Sequence, residues 1–503
     1  VLSEEFRELS TFLPKVADLE PERTAMMWPD RRISYSQLED SVSSVAGWLE
    51  EKQLRPHGVV AAFMENSSEF VVLWLATVRV GGLFLPLNTS LSGDLLSFQL
   101  SSSRPDFLFV DEELLPVVNA VSRKSMEVFT KTKIQELESR KTRHVPFRVA
   151  PSEPAVILYT SGTTGPPKGV MLPHYAFANR VHEIVKIVRL TRQDVFYNAL
   201  PLFHTSGQVM TTLPALMNGV TVVMEERFHA NRFWSRIAEE GVSVTFILNR
   251  MAGILLRSAG TPSRLLRVVM SGGVRRDMQR LFYDRFGVRL LEGFGMTETC
   301  GIALYNTLDE NLEGSVGKPL PSVEVRLSQD RERGELLLRP KVPFTMFLGY
   351  LGENDHWQAS EWFHTGDMLE RNAAGFYFYI ERLKDVIRSR GENISPGYIE
   401  AAVETFPGVV ECAAVGVTGE LGDEDIMIAV KADPGVELPA LFHHLESRLP
   451  YFMLPRYVLF LEELPRTPTQ KIKREAVRAL GVSGATDLER LGLISRRSNQ
   501  KAG

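Results

Sequence analysis

Strand patterns alternate with helix patterns through roughly the first three hundred residues, an alternation that admits stacked α/β layers and little else. Ser34-Tyr-Ser-Gln37 reads as a capping box, after which Leu38, Val42, Val45 and Leu49 fall on one helical face. Val59 to Phe63 follows as a buried strand, and Glu69 to Val80 as a helix apolar nearly all round. The expectation is an α/β chain with two doubly wound subdomains. From Val323 the rhythm shortens: Val323, Val325 and Leu327 share a face, and Gly334-Glu-Leu-Leu-Leu338 follows a charged turn. That predicts a barrel-like antiparallel β subdomain. A break comes after the strand pattern Phe376 to Ile380. Beyond it Ser395-Pro396 supplies an N-cap serine and a first-turn proline, and strands at Val409 to Val417, Ile426 to Lys431 and Tyr457 to Leu461 accompany a helix at Leu438 to Leu449. The predicted division is a large domain over 1–381 and a small α+β domain over 385–503.

Composition excludes several classes. A net charge of -5 over 503 residues leaves no basic footprint for nucleic acid. Cys300 and Cys412 are the only cysteines and form no C-x-x-C pair, so neither a disulfide framework nor a zinc site is suggested, and a reducing cytoplasm fits best. The longest apolar candidate, Phe70 to Leu87, is interrupted by Arg79 and Gly81-Gly82, and reads as a buried helix and a strand rather than a membrane span. The start lacks a basic stretch leading into an apolar core, so no secretory signal is expected. Oligomer formation is left open.

Chemistry concentrates first in Tyr159-Thr-Ser-Gly-Thr-Thr-Gly-Pro-Pro-Lys-Gly169, directly after the apolar run Ala155 to Leu158. Gly162, Gly165 and Gly169 let backbone N–H groups approach anionic oxygens, Thr160, Ser161, Thr163 and Thr164 add hydroxyls, and Lys168 supplies a mobile cation. It is not the P-loop of motor ATPases, because Gly169 stands where that loop places a magnesium-binding Ser or Thr. Standing alone, such a loop reads equally as flexible surface.

It does not stand alone. The segment resembles the phosphate loop of the adenylate-forming enzymes, the superfamily of acyl-CoA synthetases, peptide-synthetase adenylation domains and luciferases, and further motifs follow in that family's order. Pro201-Leu-Phe-His-Thr-Ser-Gly207 resembles the carboxylate-pocket segment, Ser271-Gly-Gly273 the adenine turn, Phe294-Gly-Met-Thr-Glu-Thr299 the magnesium and phosphate motif, and Trp362-Phe-His-Thr-Gly-Asp367 the ribose motif. Arg382-Leu-Lys-Asp-Val-Ile387 with Gly391-Glu-Asn-Ile-Ser-Pro396 resembles the hinge region, and Pro465-Arg-Thr-Pro-Thr-Gln-Lys471 the loop of the catalytic lysine.

The resemblance implies roles. Lys168 and the loop donors hold the β- and γ-phosphates of ATP; Gly272, Gly273, Gly293, Phe294 and Gly295 border the nucleotide; Thr297 touches the α-phosphate; Glu298 ligates Mg²⁺. Asp367 and Arg382 bind the ribose. Lys471 reaches between the carboxylate and the α-phosphate as charge builds; Gln470 replaces the family's usual glycine beside it. The small domain is expected to be mobile, turning about Lys384 so that Gly391 lets the pantetheine arm of coenzyme A pass the backbone, with Arg388 and Arg390 as candidate partners of its phosphates. His204 packs by the substrate carboxylate, as in acyl- and aryl-CoA synthetases, and no acid sits nearby to pair with an α-amino group. The implied activity is a carboxylate–CoA ligase; the alternative acceptor is the phosphopantetheine of a carrier protein.

The acid pocket is expected at His204, Gly207, Leu248 to Met251 including Asn249 and Arg250, Gly272, Gly273, Gly295, Met296, Gly301 and Ala303. So many small residues predict room for a bulky cyclic, aromatic or terpenoid acid, or a medium or long chain. Asn249 and Arg250 are candidates for reading a second polar group.

Overall fold

The computed structural model describes residues 2–121, 126–140, 144, 146–160, 167–274, 276–328, 332–353, 357–382, 387–419, 423–465, 472 and 474–494. The capping box forms: Ser34 Oγ accepts from Gln37 N–H at 3.2 Å, Gln37 Oε1 accepts from Ser34 N–H at 2.9 Å, and the helix runs Tyr35–Glu51. The all-apolar stretch is the helix Ser68–Arg79, buried on every face. Its Trp74 packs on Phe84 at 6.2 Å and on Phe177 at 6.4 Å.

Two large sheets carry the layers. One has nine strands; Thr24–Met27, Thr221–Met224, Val195–Asn198, Val244–Leu248, Val268–Gly272 and Leu290–Phe294 lie side by side and parallel. The other has seven, with Glu127–Thr130, Phe107–Val110, Val59–Phe63, Leu83–Pro86 and Pro154–Thr160 parallel, then Lys168–Pro173 and Gly349–Tyr350 antiparallel. Alternation along Val59–Phe63 shows how both faces of this sheet are covered: Val60 and Ala62 enter the core shared with the nine-stranded sheet, whereas Val59, Ala61 and Phe63 enter a second core. That second core also contains Ile387, Ile394, Ile399 and Val403, so the C-terminal part packs on the outer face of the seven-stranded sheet.

The shorter rhythm after Val323 becomes the antiparallel sheet Val323–Leu327, Arg333–Pro340, Phe363–Arg371 and Tyr377–Arg382. Past it come a hairpin, Ile387–Ser389 with Glu392–Ile394, and a four-stranded sheet of Val409–Thr418, Glu424–Ala432, Tyr457–Phe460 and Thr486–Asp487. The helix Pro396–Glu404 starts where Ser395-Pro396 predicts, but the Ser395 side chain makes no cap bond. The edge strand Thr486–Asp487 and the helix Arg474–Leu480 are additions to the expected elements. Among the described residues, no helix is long and apolar enough to cross a membrane.

Candidate active site

Thr160 and Lys168 end adjacent antiparallel strands as register partners. Ser161, Gly162, Thr163, Thr164 and Gly165 lie outside the described residues. The Lys168 ammonium sits 2.9 Å from a Glu353 carboxylate oxygen and 4.3 Å from the centre of the Tyr350 ring. The Tyr350 hydroxyl in turn donates to Glu298 Oε1 at 2.9 Å. Two motifs far apart in the chain thus converge on one tyrosine. Burial, with the Glu298 charge added, pushes the Tyr350 hydroxyl well above the ordinary phenol value, so it stays protonated.

Glu298 is buried in the single-turn 3-10 helix Thr297–Thr299 beside the half-buried Thr297. The turn is anchored from beneath, where fully buried Arg180 donates to the Thr299 carbonyl at 2.9 Å and pairs with Glu183. Phe347 N–H donates to the Glu298 carbonyl at 2.9 Å. Glycine is required just upstream: a Cβ on Gly295 would stand 1.8 Å from the Gly301 carbonyl oxygen, and one on Gly293 would stand 1.9 Å from the Tyr305 ring. Gly273, at φ +73° with nothing within 4 Å of a Cβ, faces open space. Behind that turn lies Glu292, which accepts from Val274 N–H at 3.1 Å and meets the Ser271 hydroxyl. Its burial pushes the carboxyl up to about 8.

Asp367, 3% exposed, is the register partner of Arg382 and accepts from the Tyr379 hydroxyl at 3.4 Å. Tyr379 stacks on Phe294 at 6.4 Å, which brings the predicted ribose and magnesium motifs together. The Arg382 side chain, Lys384 and Lys471 lie outside the described residues.

Ser389 and Glu392 pair across a two-residue turn, Arg390 at φ 55° and Gly391 at φ 81°, both left-handed as tight hairpins favour. Arg390 is used within the small domain: its guanidinium lies 4.4 Å from the Tyr451 ring centre and donates to the Tyr451 carbonyl. Arg388 donates to the Tyr379 hydroxyl at 2.7 Å. Both arginines that the sequence offered to coenzyme A phosphates therefore have protein partners. Glu392 reaches across to the large domain, with Oε1 3.1 Å from His204 Nε2 and 3.1 Å from Asn88 Nδ2. Burial alone would pull the His204 imidazole down; Glu392 more than offsets this and leaves it above the usual histidine value. A small cavity of about 60 Å³ opens here, between Thr160, Phe203 and His204 on one side and Glu392, Ser395 and Tyr398 on the other.

The acid-pocket positions separate into two groups. Gly273 and Gly301 have space: a Cβ on Gly301 would meet nothing nearer than Thr205 at 3.8 Å. Gly207 does not, since a Cβ there would stand 2.4 Å from the Pro201 carbonyl oxygen, and Ala303 is fully buried in the core. The room that the sequence reading assigned to those two is filled by backbone and core packing. Phe246 lies against Gly272, and Met296 is half-buried against the large core. Asn249 and Arg250 open the helix Asn249–Leu255, and Arg250 faces the small domain, 3.8 Å from Asp423. Tyr350, Asn88, Tyr379 and Asp423 carry no functional signal in the sequence, and Glu392 lies in the hinge-like motif without a role of its own. The first four reach the site through strand pairing and interdomain packing, which leave no local pattern.

The chain belongs to the AMP-binding enzyme family: residues 13–351 match its main model and residues 398–471 that of its C-terminal domain. Within the adenylate-forming superfamily it falls in the acyl-CoA ligase branch and is an AMP-forming acid–CoA ligase. It is 32% identical to the indoleacetate–CoA ligase of Aromatoleum aromaticum, over 94% of this chain and 98% of that one. It is 29% identical to a long-chain-fatty-acid–CoA ligase of Mycobacterium tuberculosis, over the same shares of 94% and 98%. The o-succinylbenzoate CoA synthetase of Bacillus subtilis, 25% identical over 93% of this chain and 98% of that one, superposes with a TM-score of 0.85 in its complex with a product analogue. The same enzyme holding its acyl-adenylate, at equal identity and coverage, gives 0.69. Of these two structures, the chain superposes more closely on the product-analogue complex.

Proposed function

We propose that this ligase activates a bulky, largely apolar carboxylic acid in two half-reactions served by different arrangements of a large domain, 1–381, and a small domain, 385–503, about a hinge at 382–384. The observation that carries the reading is the joining of Lys168 and Glu298 through Tyr350, with Thr160, the register partner of Lys168, lining the His204 cavity, and with the Phe294–Tyr379 stack leading to Asp367. An organic acid and the α-phosphate of ATP are both anionic, so the first step needs charge neutralised and the partners held in line. Lys168 and the loop at 160–165 hold the leaving pyrophosphate, Thr297 the α-phosphate, Asp367 and Arg382 the ribose, and Lys471 the charge that builds as a carboxylate oxygen attacks phosphorus. Glu298 suits Mg²⁺, because it is a hard oxygen donor on an anchored turn. Bound there with the phosphates, Mg²⁺ supplies Lewis-acid neutralisation.

In the second step the thiol of coenzyme A attacks the acyl carbon and AMP leaves. The cavity between His204 and the Gly391 turn supports a path for the pantetheine arm, with Glu392 orienting His204. Phe246 and Met296, and the relatives that act on indoleacetate and long-chain fatty acids, support an apolar acid. Cytoplasmic residence follows the cysteine usage.

A panel of aromatic, cyclic, terpenoid and chain acids, followed by CoA-dependent AMP release, identifies the substrate; release with short acids alone overturns the bulky-acid reading. Lys471→Ala should abolish acid-dependent pyrophosphate exchange and spare thioester formation from preformed acyl-adenylate. Loss of both steps together would remove the division of labour. A carrier protein offered in place of coenzyme A tests the alternative acceptor.

A further inference from the structure

The contacts between the phosphate lysine and the metal carboxylate run through a residue outside both motifs. Tyr350 stands on the edge strand Gly349–Tyr350, paired with Val170, two residues beyond Lys168. Its neighbour Phe347 gives its N–H to the Glu298 carbonyl at 2.9 Å, so the same short segment grips both the backbone and the side chain of Glu298. The hydroxyl, 2.9 Å from Glu298 Oε1, sets the rotation of that carboxylate. The ring face, 4.3 Å from the Lys168 ammonium, gives the flexible lysine stem a fixed resting direction. The other partner of Lys168, Glu353, forms a solvent-screened pair, with side chains 46% and 43% exposed, that a polyphosphate can displace. The cation–π contact needs no displacement, because the ring leaves the N–H donors of the ammonium free to turn to phosphate.

We infer that Tyr350 is a positioning residue of the adenylation half-reaction, holding the Glu298 carboxylate and the Lys168 ammonium in mutual register for metal-bound triphosphate. The inference rests on the magnesium and phosphate roles proposed above. A hydroxyl on a carboxylate contributes directional order to Glu298, and the ring contributes placement to Lys168, so the two parts separate by substitution: Tyr350→Phe removes only the first and Tyr350→Leu removes both.

The test uses the full-length enzyme and three readouts: calorimetric binding of ATP with and without Mg²⁺, the Mg²⁺ concentration that half-saturates pyrophosphate exchange, and thioester formation from preformed acyl-adenylate. Tyr350→Phe should raise the half-saturating Mg²⁺ by about tenfold, the scale of one hydrogen bond to a charged group, and leave metal-free ATP binding unchanged. Tyr350→Leu should in addition weaken metal-free ATP binding by about threefold. Both should keep the thioester step. Unaltered Mg²⁺ dependence in Tyr350→Phe overturns the inference, as does a parallel fall of both half-reactions, which would mark a folding role. A wild-type enzyme indifferent to Mg²⁺ would instead remove the metal role of Glu298 on which the inference stands.

Discussion

Glu292 shows how one side chain ties a ligand turn to the fold. It sits in a central strand, 2% exposed, with its carboxyl oxygens on Val274 N–H and the Ser271 hydroxyl, and its backbone carbonyl takes the Asn306 amide at 2.9 Å. The turn Ser271-Gly-Gly273 therefore rests on a carboxyl that burial keeps protonated up to about pH 8. The sign follows from linkage. Below about 4.5 both folded and unfolded chains hold this proton; between 4.5 and about 8 only the folded chain does, so the contribution to stability falls as pH rises through that window. Glu292→Gln keeps the shape and the hydrogen bonds without the titration. Urea midpoints measured at pH 5, 7 and 9 should fall with pH more steeply for the wild type than for the variant. Parallel curves would mean that Glu292 is ionised in the native state.

At the scale of elements, the site depends on short segments pressed together. The 3-10 turn Thr297–Thr299 is held by Arg180 below and by the glycine at 295, whose hydrogen faces the Gly301 carbonyl. Gly295→Ala would drive a methyl into backbone that cannot rotate away, and should cost about 3 kcal/mol of stability along with most of the pyrophosphate exchange. Gly273→Ala meets no atom within 4 Å and carries only the left-handed strain, about 1 kcal/mol. Denaturant unfolding of the two variants checks the ordering. This level also marks where sequence reading stops. The capping box at Ser34, the buried strand at Val59 and the helix after Ser395 were legible because their signals are local: a side chain three residues from its partner, a short continuous apolar run, or a proline in the first turn. Tyr350 was not, because its importance arises when a two-residue strand pairs beside Lys168, and neither composition nor spacing encodes that register. Gly207 and Ala303 were legible as small but not as enclosed, since only the packed chain shows what their missing side chains would meet.

The whole molecule adds the arrangement of its two parts, which polar contacts join alongside the apolar packing, the bond from Arg388 to the Tyr379 hydroxyl among them. His204 with Glu392, Asn88 with Glu392, and Arg250 with Asp423 all cross between them. Burial holds the Asp423 carboxyl above its usual value, and the Arg250 charge and the backbone N–H groups of the turn at Arg390 and Gly391 oppose that rise. Arg250 thus sits between two readings: the sequence suggested a group that reads the acid, and the structure pairs it with the small domain. The pair is loose and partly solvated, at 3.8 Å with side chains 36% and 17% exposed, so its contribution is about 0.5 kcal/mol. Arg250→Ala should slow thioester formation from preformed acyl-adenylate by about twofold and leave pyrophosphate exchange and the KM for the acid unchanged. Asp423→Asn, which keeps an acceptor for the turn, should have a similar effect, and the double variant should be no slower than either single one, as a shared contact requires. A rise in the KM for the acid with normal thioester formation would return Arg250 to the acid pocket. Additive losses in the double variant would show that Arg250 and Asp423 act separately.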